Sequence, residues 1–481
     1  MKDTNDLPLS RAIRSLALPA VLAFLLQNFY HVNDTWFLAR VGPESANALG
    51  LFMIVSVANF GFILTVARGT QSLVGRRFGA GNLEGVQQTL AQGIRLAGMV
   101  LLPLGLLEYV FMDDILGLMG GTGVTVELGS AYMRRLLLFF PFLFASPLIE
   151  FSFQGLGDAR TPFRLQVMAV AVNTLLNWLL VLPHELVSTA EALTWGSQTL
   201  PFTLPWHGQL SFGGWGVEGA ATATGCSRMC SAMVGFFIMV RRHRLLSLVK
   251  LGSYRLRSKV VREILRIGLP AGSSTFLYAA VGVVLTKIIA GFGQDALGAY
   301  GIGFRGVEGV SFMIVLGFGV ATGTVAAHAV GAGNLARARA AGHVGAGMCA
   351  VVMALTATAF YFWPEGLVGL FTDDPSTLRI AAGYIATMAF CQIPQAAEMV
   401  YGDAMAGAGS ATLAACVSIP GNVLRVPLAW LFAIELDWGL PGVWWAIVAS
   451  ALLKGAGMWL LYLSGRWERG MLAGRGMLES E

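Results

Sequence analysis

A carboxylate stands in an apolar stretch near the start of the sequence. Asp34 lies fifteen residues past Pro19, and Gln27 and His31 precede it by seven and three residues. On a helix this i, i+4, i+7 spacing places all three on one face as a polar stripe. Burial disfavours the charged form of a carboxyl group, so Asp34 is predicted to load and release a proton as its surroundings change. The alternative is an Asp that only bonds neighbouring helices together. Pro19 removes a backbone hydrogen bond and is predicted to let this helix bend.

Further polar residues interrupt other apolar stretches of the same half. Asn173 and Asn177 are four residues apart, so they share one helix face. Arg68 stands alone in another such stretch. It is predicted either to pair with Asp34 or to contact a lipid or an anionic substrate, and the sequence leaves this choice open.

The second half carries two more candidate groups. Arg305 and Glu308 are three residues apart, and the favoured interpretation is an intrahelical pair that neutralises itself. Gln392, Gln395 and Glu398 recur at three-residue spacing and are predicted to face a cavity. Tyr278, Arg305 and Glu308 are further candidates for the lining of this cavity. His184, His207, His328 and His343 form no cluster with Cys or carboxylates at the spacing of metal ligands, so the sequence predicts no metal site.

The composition places all these polar residues inside a membrane. Of 481 residues, 56% are hydrophobic and only 12% are charged, and the mean hydropathy is +0.67. Soluble domains contain about 25% charged residues. Nearly charge-free stretches such as Leu96–Met112 and Leu413–Ile434 recur along the chain and approach the roughly 20 residues that a bilayer span needs. Because an ionisable group at membrane depth is costly, each one found there is a functional candidate.

The hydrophobic pattern predicts an all-α integral membrane protein with twelve transmembrane helices. The predicted spans are 14–38, 47–75, 88–112, 130–153, 162–183, 213–240, 264–291, 297–328, 340–362, 378–404, 411–434 and 441–464. Lys and Arg concentrate in the loops after the even-numbered spans, most densely over 241–266. By the positive-inside rule, both termini are predicted to be cytoplasmic, with the protein in the inner (cytoplasmic) membrane.

The two halves of the chain repeat one another. Leu18-Pro19 reappears 251 residues later as Leu269-Pro270, and Gly79-Ala-Gly81-Asn82 reappears 252 residues later as Gly331-Ala-Gly333-Asn334. We interpret the Gly-Ala-Gly motif as a turn at a helix end, because it lacks the Gly-Lys-Ser/Thr of a phosphate-binding loop. An offset of six spans preserves orientation, which is typical of parallel repeats with a cavity between two bundles and favours alternating access. The predicted domains are a six-helix lobe over 1–240, a basic cytoplasmic linker over 241–263 and a second six-helix lobe with a tail over 264–481.

Ten short motifs in a fixed order carry a family resemblance. They are Leu18-Pro19, Asn33-Asp34-Thr35, Val41-Gly42-Pro43, Phe78-Gly-Ala-Gly81, Gln154-Gly-Leu-Gly-Asp158, Gly219-Ala-Ala-Thr-Ala-Thr224, Ala299-Tyr300-Gly301, Arg305-Gly-Val-Glu308, Gly331-Ala-Gly333 and Phe371-Thr-Asp373. With these motifs the sequence resembles the multidrug and toxic compound extrusion family from about residue 14 to residue 467. The Arg-x-x-Glu motif resembles the DinF-type branch of that family. The resemblance implies a two-lobe, twelve-helix exporter driven by a proton or sodium gradient.

The resemblance also assigns roles to single residues. Asp34 matches the coupling carboxylate of the family, and Asn177 and Thr224 match polar members of the same site. Val181 stands where the family often has a second Asp, and Tyr278 stands where sodium-coupled members of another branch have Glu. Hard cations require several oxygen ligands, so these two departures favour protons over sodium as the coupling ion.

The sequence therefore predicts a proton-coupled exporter of amphipathic, cationic compounds that works by alternating access, and not an enzyme. The expected partners are a small-molecule substrate and the lipid bilayer, with no nucleic acid, no cofactor and a monomeric state. A sodium-coupled antiporter and a lipid or lipid-linked oligosaccharide flippase remain as alternatives, the latter because Arg68 and Arg305 offer positive charge for phosphate. A membrane enzyme would need clustered Asp and His or a nucleophile beside its base, and we find neither in the sequence.

Overall fold

The computed structural model describes residues 4–41, 43–118, 123–188, 193–195, 198–200, 208–242 and 257–468. Among these residues, nine helices are long and apolar enough to cross a membrane, and two helices that meet at 63° form a tenth candidate. The predicted linker lies largely outside the described ranges, and the first helix of the second half begins at Ser258, earlier than the predicted boundary of 264.

Among the described residues, the first half contains seven helices. They are α1 (Leu9–Val41), α2 (Pro43–Gly79), α3 (Leu83–Leu118), α4 (Val124–Leu137), α5 (Phe140–Gly155), α6 (Arg160–Val181) and α7 (Gly216–Phe237), which a π-helical turn (Ile238–Arg242) extends. A single 3-10 turn (Thr4–Asp6) precedes them. Pro19 lies inside α1, which nevertheless runs as one helix. The bent pair is α4 and α5, which together occupy the predicted fourth span.

The second half follows the same order of elements. Its helices are α8 (Ser258–Ala290), α9 (Gln294–Gly301), α10 (Gly309–Gly331), α11 (Leu335–Phe362), α12 (Pro364–Val368), α13 (Pro375–Met388), α14 (Gln392–Gly407), α15 (Ala411–Trp430) and α16 (Leu440–Leu463). A π-helical turn (Ile302–Glu308) joins α9 to α10, a 3-10 turn (Ala389–Cys391) joins α13 to α14, and a π-helical turn (Leu431–Glu435) ends α15. A helix or a joined pair of helices therefore covers each of the twelve predicted spans, and the predicted all-α membrane fold is confirmed.

The long loop expected between the fifth and sixth spans contains a small antiparallel sheet. Its strands are β1 (Pro183–Ser188), β2 (Leu193–Trp195), β3 (Gln198–Leu200) and β4 (Gly208–Gly213), in the order β3-β2-β1-β4. Strand β1 pairs with β4 from Pro183 opposite Gly213 to Ser188 opposite Gly208. The sheet therefore brings the end of α6 and the start of α7 together, and these are two of the helices that carry polar residues.

The repeated Gly-Ala-Gly-Asn motif forms the same turn in both halves. Gly81 has φ +72° and Gly333 has φ +75°, a left-handed conformation that favours glycine at a helix end. The Asn82 side chain then accepts a hydrogen bond from the backbone N–H three residues later at 2.7 Å, and the Asn334 side chain does the same at 2.9 Å. The interpretation of this motif as a helix-end turn is confirmed.

Large apolar side chains cover the outer surface of the helices. Leu106 of α3 is 67% exposed, Leu355 of α11 is 69% exposed and Leu460 of α16 is 59% exposed. Contiguous apolar surface of this kind is unfavourable in water, whereas lipid tails cover it without cost. The exposed surface therefore supports a multi-pass membrane protein.

The two halves meet closely where α2 ends and α8 begins. A Cβ atom added to Gly268 of α8 would lie 1.6 Å from the carbonyl oxygen of Thr65 on α2, so only glycine fits at this crossing. Arg76 Nη2 also pairs with Glu263 Oε1 across the same junction at 3.0 Å. Small residues allow membrane helices to approach to backbone contact, and here that contact joins the first half to the second.

Candidate functional site

Asp34 lies at the centre of a buried hydrogen-bond cluster in the first half. The side chain is 6% exposed. Its Oδ1 accepts bonds from Asn173 Nδ2 at 3.0 Å and from Asn177 Nδ2 at 2.6 Å, and its Oδ2 accepts a bond from Thr224 Oγ1 at 3.0 Å. Helix α1 supplies the carboxylate, α6 supplies both amides, and α7 supplies the hydroxyl. The structure thus brings together four of the residues that the sequence singled out.

A second layer fixes the two amides of this cluster. Asn173 Oδ1 accepts bonds from Asn33 Nδ2 at 3.0 Å and from Asn177 Nδ2 at 3.2 Å. Asn177 Oδ1 is buried without a hydrogen-bond partner. Within the described part of the chain, no Lys, Arg or His nitrogen lies within 4.0 Å of the Asp34 carboxylate. Neutral donors alone therefore hold this carboxylate.

Gln27 and His31 belong to a neighbouring cluster, although they share a stripe with Asp34. Gln27 Nε2 donates to His31 Nε2 at 3.0 Å, and Gln27 Oε1 accepts from Arg228 Nη2 at 2.7 Å. The Arg228 guanidinium lies 4.6 Å from the centre of the Tyr30 ring. Arg228 was not among the residues predicted from the sequence. It lies within the predicted sixth span, and its charge at membrane depth could have identified it as a candidate.

Of the two alternatives that the sequence left open for Arg68, a pair with Asp34 is absent among the described residues. Arg68 Nη1 instead pairs with Asp403 Oδ2 of α14 at 3.4 Å, and its Cζ lies 5.0 Å from the centre of the Phe151 ring. The pair joins residues of opposite halves. Spacing along the sequence carries no information on a partner 335 residues away.

The expected pair of Arg305 and Glu308 is also wrong. Glu308 is buried and accepts a hydrogen bond from the Tyr384 hydroxyl, whereas Arg305 is exposed. Both residues lie in the π-helical turn between α9 and α10. A π-helix has a wider turn than an α-helix, so residues three apart no longer lie above one another. The spacing of Arg305 and Glu308 therefore gave a wrong prediction of an ion pair.

An open cavity of about 280 Å³ lies mainly in the second half, and Phe60, Leu64 and Arg68 of α2 complete its wall. Four of the predicted residues line it: Tyr278, Glu308, Gln395 and Glu398. Arg305, another candidate, does not line it. Gln392 does not contribute to the lining: it is fully buried and donates to the Met388 carbonyl oxygen at 3.0 Å. The prediction that Gln392 faces the cavity was therefore wrong.

Two basic residues of this cavity escaped the sequence analysis. Lys454 Nζ lies 2.8 Å from Glu398 Oε2 and donates to Asn422 Oδ1 at 2.8 Å. Arg425 Nε donates to Ser450 Oγ at 3.0 Å. Lys454 lies on α16 and Arg425 lies on α15, both within predicted spans. Their charge at membrane depth could have identified them as candidates. Within the described ranges, no group of three or more His, Cys, Asp and Glu side chains could hold a metal ion.

Comparison with known proteins yields a match over most of the chain. The MatE family model matches residues 19–179 and 270–431, one segment in each half. A probable multidrug resistance protein NorM from Pseudomonas aeruginosa is 27% identical over 458 residues, which cover 94% of this chain and 88% of that protein. The multidrug export protein MepA from Staphylococcus aureus is 23% identical and covers 95% of this chain and 94% of its own length.

Solved structures share the fold. The outward-facing conformation of a multidrug resistance MATE family transporter of the MOP superfamily aligns with a TM-score of 0.84 at 20% identity, covering 98% of both chains. At this identity the likeness establishes the arrangement of helices. The chemistry of the two polar sites has to be argued from the residues of this chain.

Proposed function

Since the chain belongs to the MatE family of membrane transporters, we propose that it exports amphipathic organic cations in exchange for protons by alternating access. The chain is a multi-pass membrane transporter and not an enzyme. The observation that carries the proposal is the buried Asp34 carboxylate, held only by neutral donors at the junction of three helices.

Protonation of Asp34 would change how α1 is held. The two amides and the hydroxyl all donate to the ionised carboxylate, so a protonated Asp34 needs an acceptor for its new O–H. Thr224 can supply one because a hydroxyl both donates and accepts, and Asn177 can supply one by turning its unpartnered Oδ1 inward. Either change replaces bonds from α1 to α6 or α7. Loading a proton is thereby linked to the position of α1, which Pro19 leaves able to bend.

The surroundings of Asp34 support a proton rather than sodium. Val181 is buried one turn beyond Asn177, where a second carboxylate would complete a set of charged oxygen ligands. Its methyl groups offer a hard cation nothing to bind. Sodium coupling remains the second candidate for the driving ion.

The cavity of the second half supports an amphipathic substrate. Tyr278 and Phe312 lie stacked at 6.3 Å and Tyr300 and Phe304 at 5.4 Å, and all four line the cavity. Aromatic faces attract organic cations, and the Glu308 carboxylate adds a negative charge. The flippase alternative depended on Arg68 and Arg305, but Arg68 is paired with Asp403 and Arg305 does not line the cavity.

We extend the proposal to the setting of the protein. Arg76 and Arg77 at the end of α2 and Arg337 and Arg339 at the start of α11 support an orientation with both termini in the cytoplasm, and the inner membrane is the location that we propose. A monomer suffices, because one chain contains both polar sites. Membership of the DinF-type branch stays a prediction that depends on the Arg-x-x-Glu motif alone.

Transport by reconstituted vesicles tests the proposal. Wild type and Asp34→Asn are supplied in turn with a pH gradient and a sodium gradient, and export of a fluorescent cation is measured. We expect a pH gradient to drive wild type and the variant to fall to the level of empty vesicles. Asp114→Asn, an exposed carboxylate of the same half, is the matched control and should transport normally. Unchanged transport by Asp34→Asn would refute the coupling role, and transport driven by sodium alone would replace the proton.

A further inference from the structure

Six charged side chains line the cavity of the second half, and four of them form two closed pairs. Lys454 and Glu398 approach to 2.8 Å, and Arg68 and Asp403 approach to 3.4 Å. Each pair neutralises itself where it lines the cavity. The two remaining charges, Arg425 and Glu308, therefore determine what the cavity presents to a substrate.

Arg425 is a buried cation that forms no direct ion pair among the described residues. The residue is 8% exposed, and no Asp or Glu oxygen lies within 4.0 Å of its guanidinium in the part of the chain that the structure describes. Its Nε bonds Ser450 Oγ, which fixes the plane of the group. Guanidinium stays protonated at any relevant pH, and burying an unpaired charge is costly. Such a group is expected where it has a function.

One aromatic ring lies beside this cation and stacks with a second ring. The Arg425 Cζ atom lies 5.7 Å from the centre of the Tyr278 ring, and Tyr278 is stacked with Phe312 at an interplanar angle of 8°. A pair of stacked aromatic rings therefore adjoins a planar donor group. A guanidinium binds carboxylate through two parallel N–H bonds when its plane is fixed.

We propose that this cavity also binds aromatic carboxylates, with the Arg425 guanidinium as the partner of the carboxylate and the rings of Tyr278 and Phe312 beside the aromatic system. A single unpaired guanidinium matches one negative charge, whereas phosphate groups are recognised by clusters of arginines. Glu308, which has no Lys, Arg or His nitrogen within 4.0 Å among the described residues, would serve organic cations in the same cavity. A space of about 280 Å³ holds one such molecule at a time, so the two substrate classes compete.

Equilibrium binding to the purified full-length protein in detergent tests this inference. The probes are 7-diethylaminocoumarin-3-carboxylate, its neutral primary amide and its trimethylammonioethyl amide, all followed by coumarin fluorescence. We expect wild type to bind the carboxylate more tightly than the amide. Arg425→Gln should weaken carboxylate binding at least roughly tenfold, because a bond to a charged group is lost, and leave amide binding unchanged. The carboxylate probe and the trimethylammonioethyl amide should displace each other from the wild-type protein.

Glu308→Gln provides an independent test with the opposite sign. It removes the negative charge and keeps an acceptor for the Tyr384 hydroxyl, so it should strengthen carboxylate binding and weaken ammonium binding. Arg379→Gln, on the exposed face of α13, removes an arginine outside the cavity and should bind all three probes as wild type does.

Two results would overturn the inference: equal affinity of wild type for carboxylate and amide, or carboxylate binding that both cavity variants leave unchanged. If Arg425→Gln does not fold, the wild-type comparison and Glu308→Gln still decide. The inference rests on the proposed function, because a bound carboxylate is a transport substrate only if the protein is an exporter. The binding assay in detergent does not depend on proton coupling, because no gradient is present. Asp34→Asn measured in parallel separates the two, since lost transport with intact probe binding refutes only the coupling role.

Discussion

The two halves share a frame but hold their buried charges by opposite means. In the first half, Asp34 is surrounded by two amides and a hydroxyl, with no cation within 4.0 Å among the described residues. In the second half, Lys454 and Glu398 form a direct ion pair at 2.8 Å beside an open cavity. Neutral donors leave a carboxylate free to gain a proton, whereas an ion pair fixes both charges. The difference supports a division of labour between a switch in one half and a recognition surface in the other.

Breaking the ion pair of the second half should have the largest effect on stability. Lys454→Met leaves Glu398 buried without a cation, which costs about 3–5 kcal/mol. Thermal unfolding in detergent should show a strongly destabilised protein. The double variant Lys454→Met/Glu398→Leu should recover most of the loss, because an apolar pair often replaces a buried ion pair without cost. A double variant as unstable as the single one would contradict the assignment of the pair.

Removing one donor of the first half should have a smaller effect. Asn177→Leu takes away the shortest bond to the Asp34 carboxylate, and a hydrogen bond to a charged group contributes about 1.5–3 kcal/mol. Asn33→Leu is the matched control: Asn33 bonds Asn173 and not Asp34, and a neutral bond contributes about 0.5–1.5 kcal/mol. Thermal unfolding compares the two variants. An equal loss in both would argue against a special role of the carboxylate.

Changing the repeated turns should have a smaller effect than Asn177→Leu, and the effect should be the same in both halves. Gly81→Ala and Gly333→Ala each force a side chain into a left-handed conformation, at a cost of about 1–2 kcal/mol. Because φ is +72° at one position and +75° at the other, the two losses of unfolding free energy should agree. Unequal losses would show that the frame, as well as the chemistry, differs between the halves.

The sequence predicted the frame better than the contacts. The span lengths follow from the hydrophobic pattern, and the repeated turn follows from a short local motif. The residues around Asp34 followed from the family resemblance, because Asn177 and Thr224 lie 143 and 190 residues away from it. Arg68 and Asp403 meet across the two halves, and no local spacing encodes such a pair. Glu308 was assigned the wrong partner because the π-helical turn around it is invisible in a hydrophobic pattern. The charges of Lys454 and Arg425 could have identified them as cavity residues, but neither was predicted because both lie within strongly apolar spans.

The crossing of α2 and α8 limits how the halves can separate. At Gly268 the two backbones touch without a side chain between them, so no change of rotamer can loosen the contact by degrees. Opening at that end must shift one whole helix against the other. Packed interfaces of this kind have discrete arrangements rather than a continuous range. The junction would then have two arrangements, one with the helices in contact and one with them shifted apart. A partly opened protein that conducts ions freely would not be a stable intermediate between them.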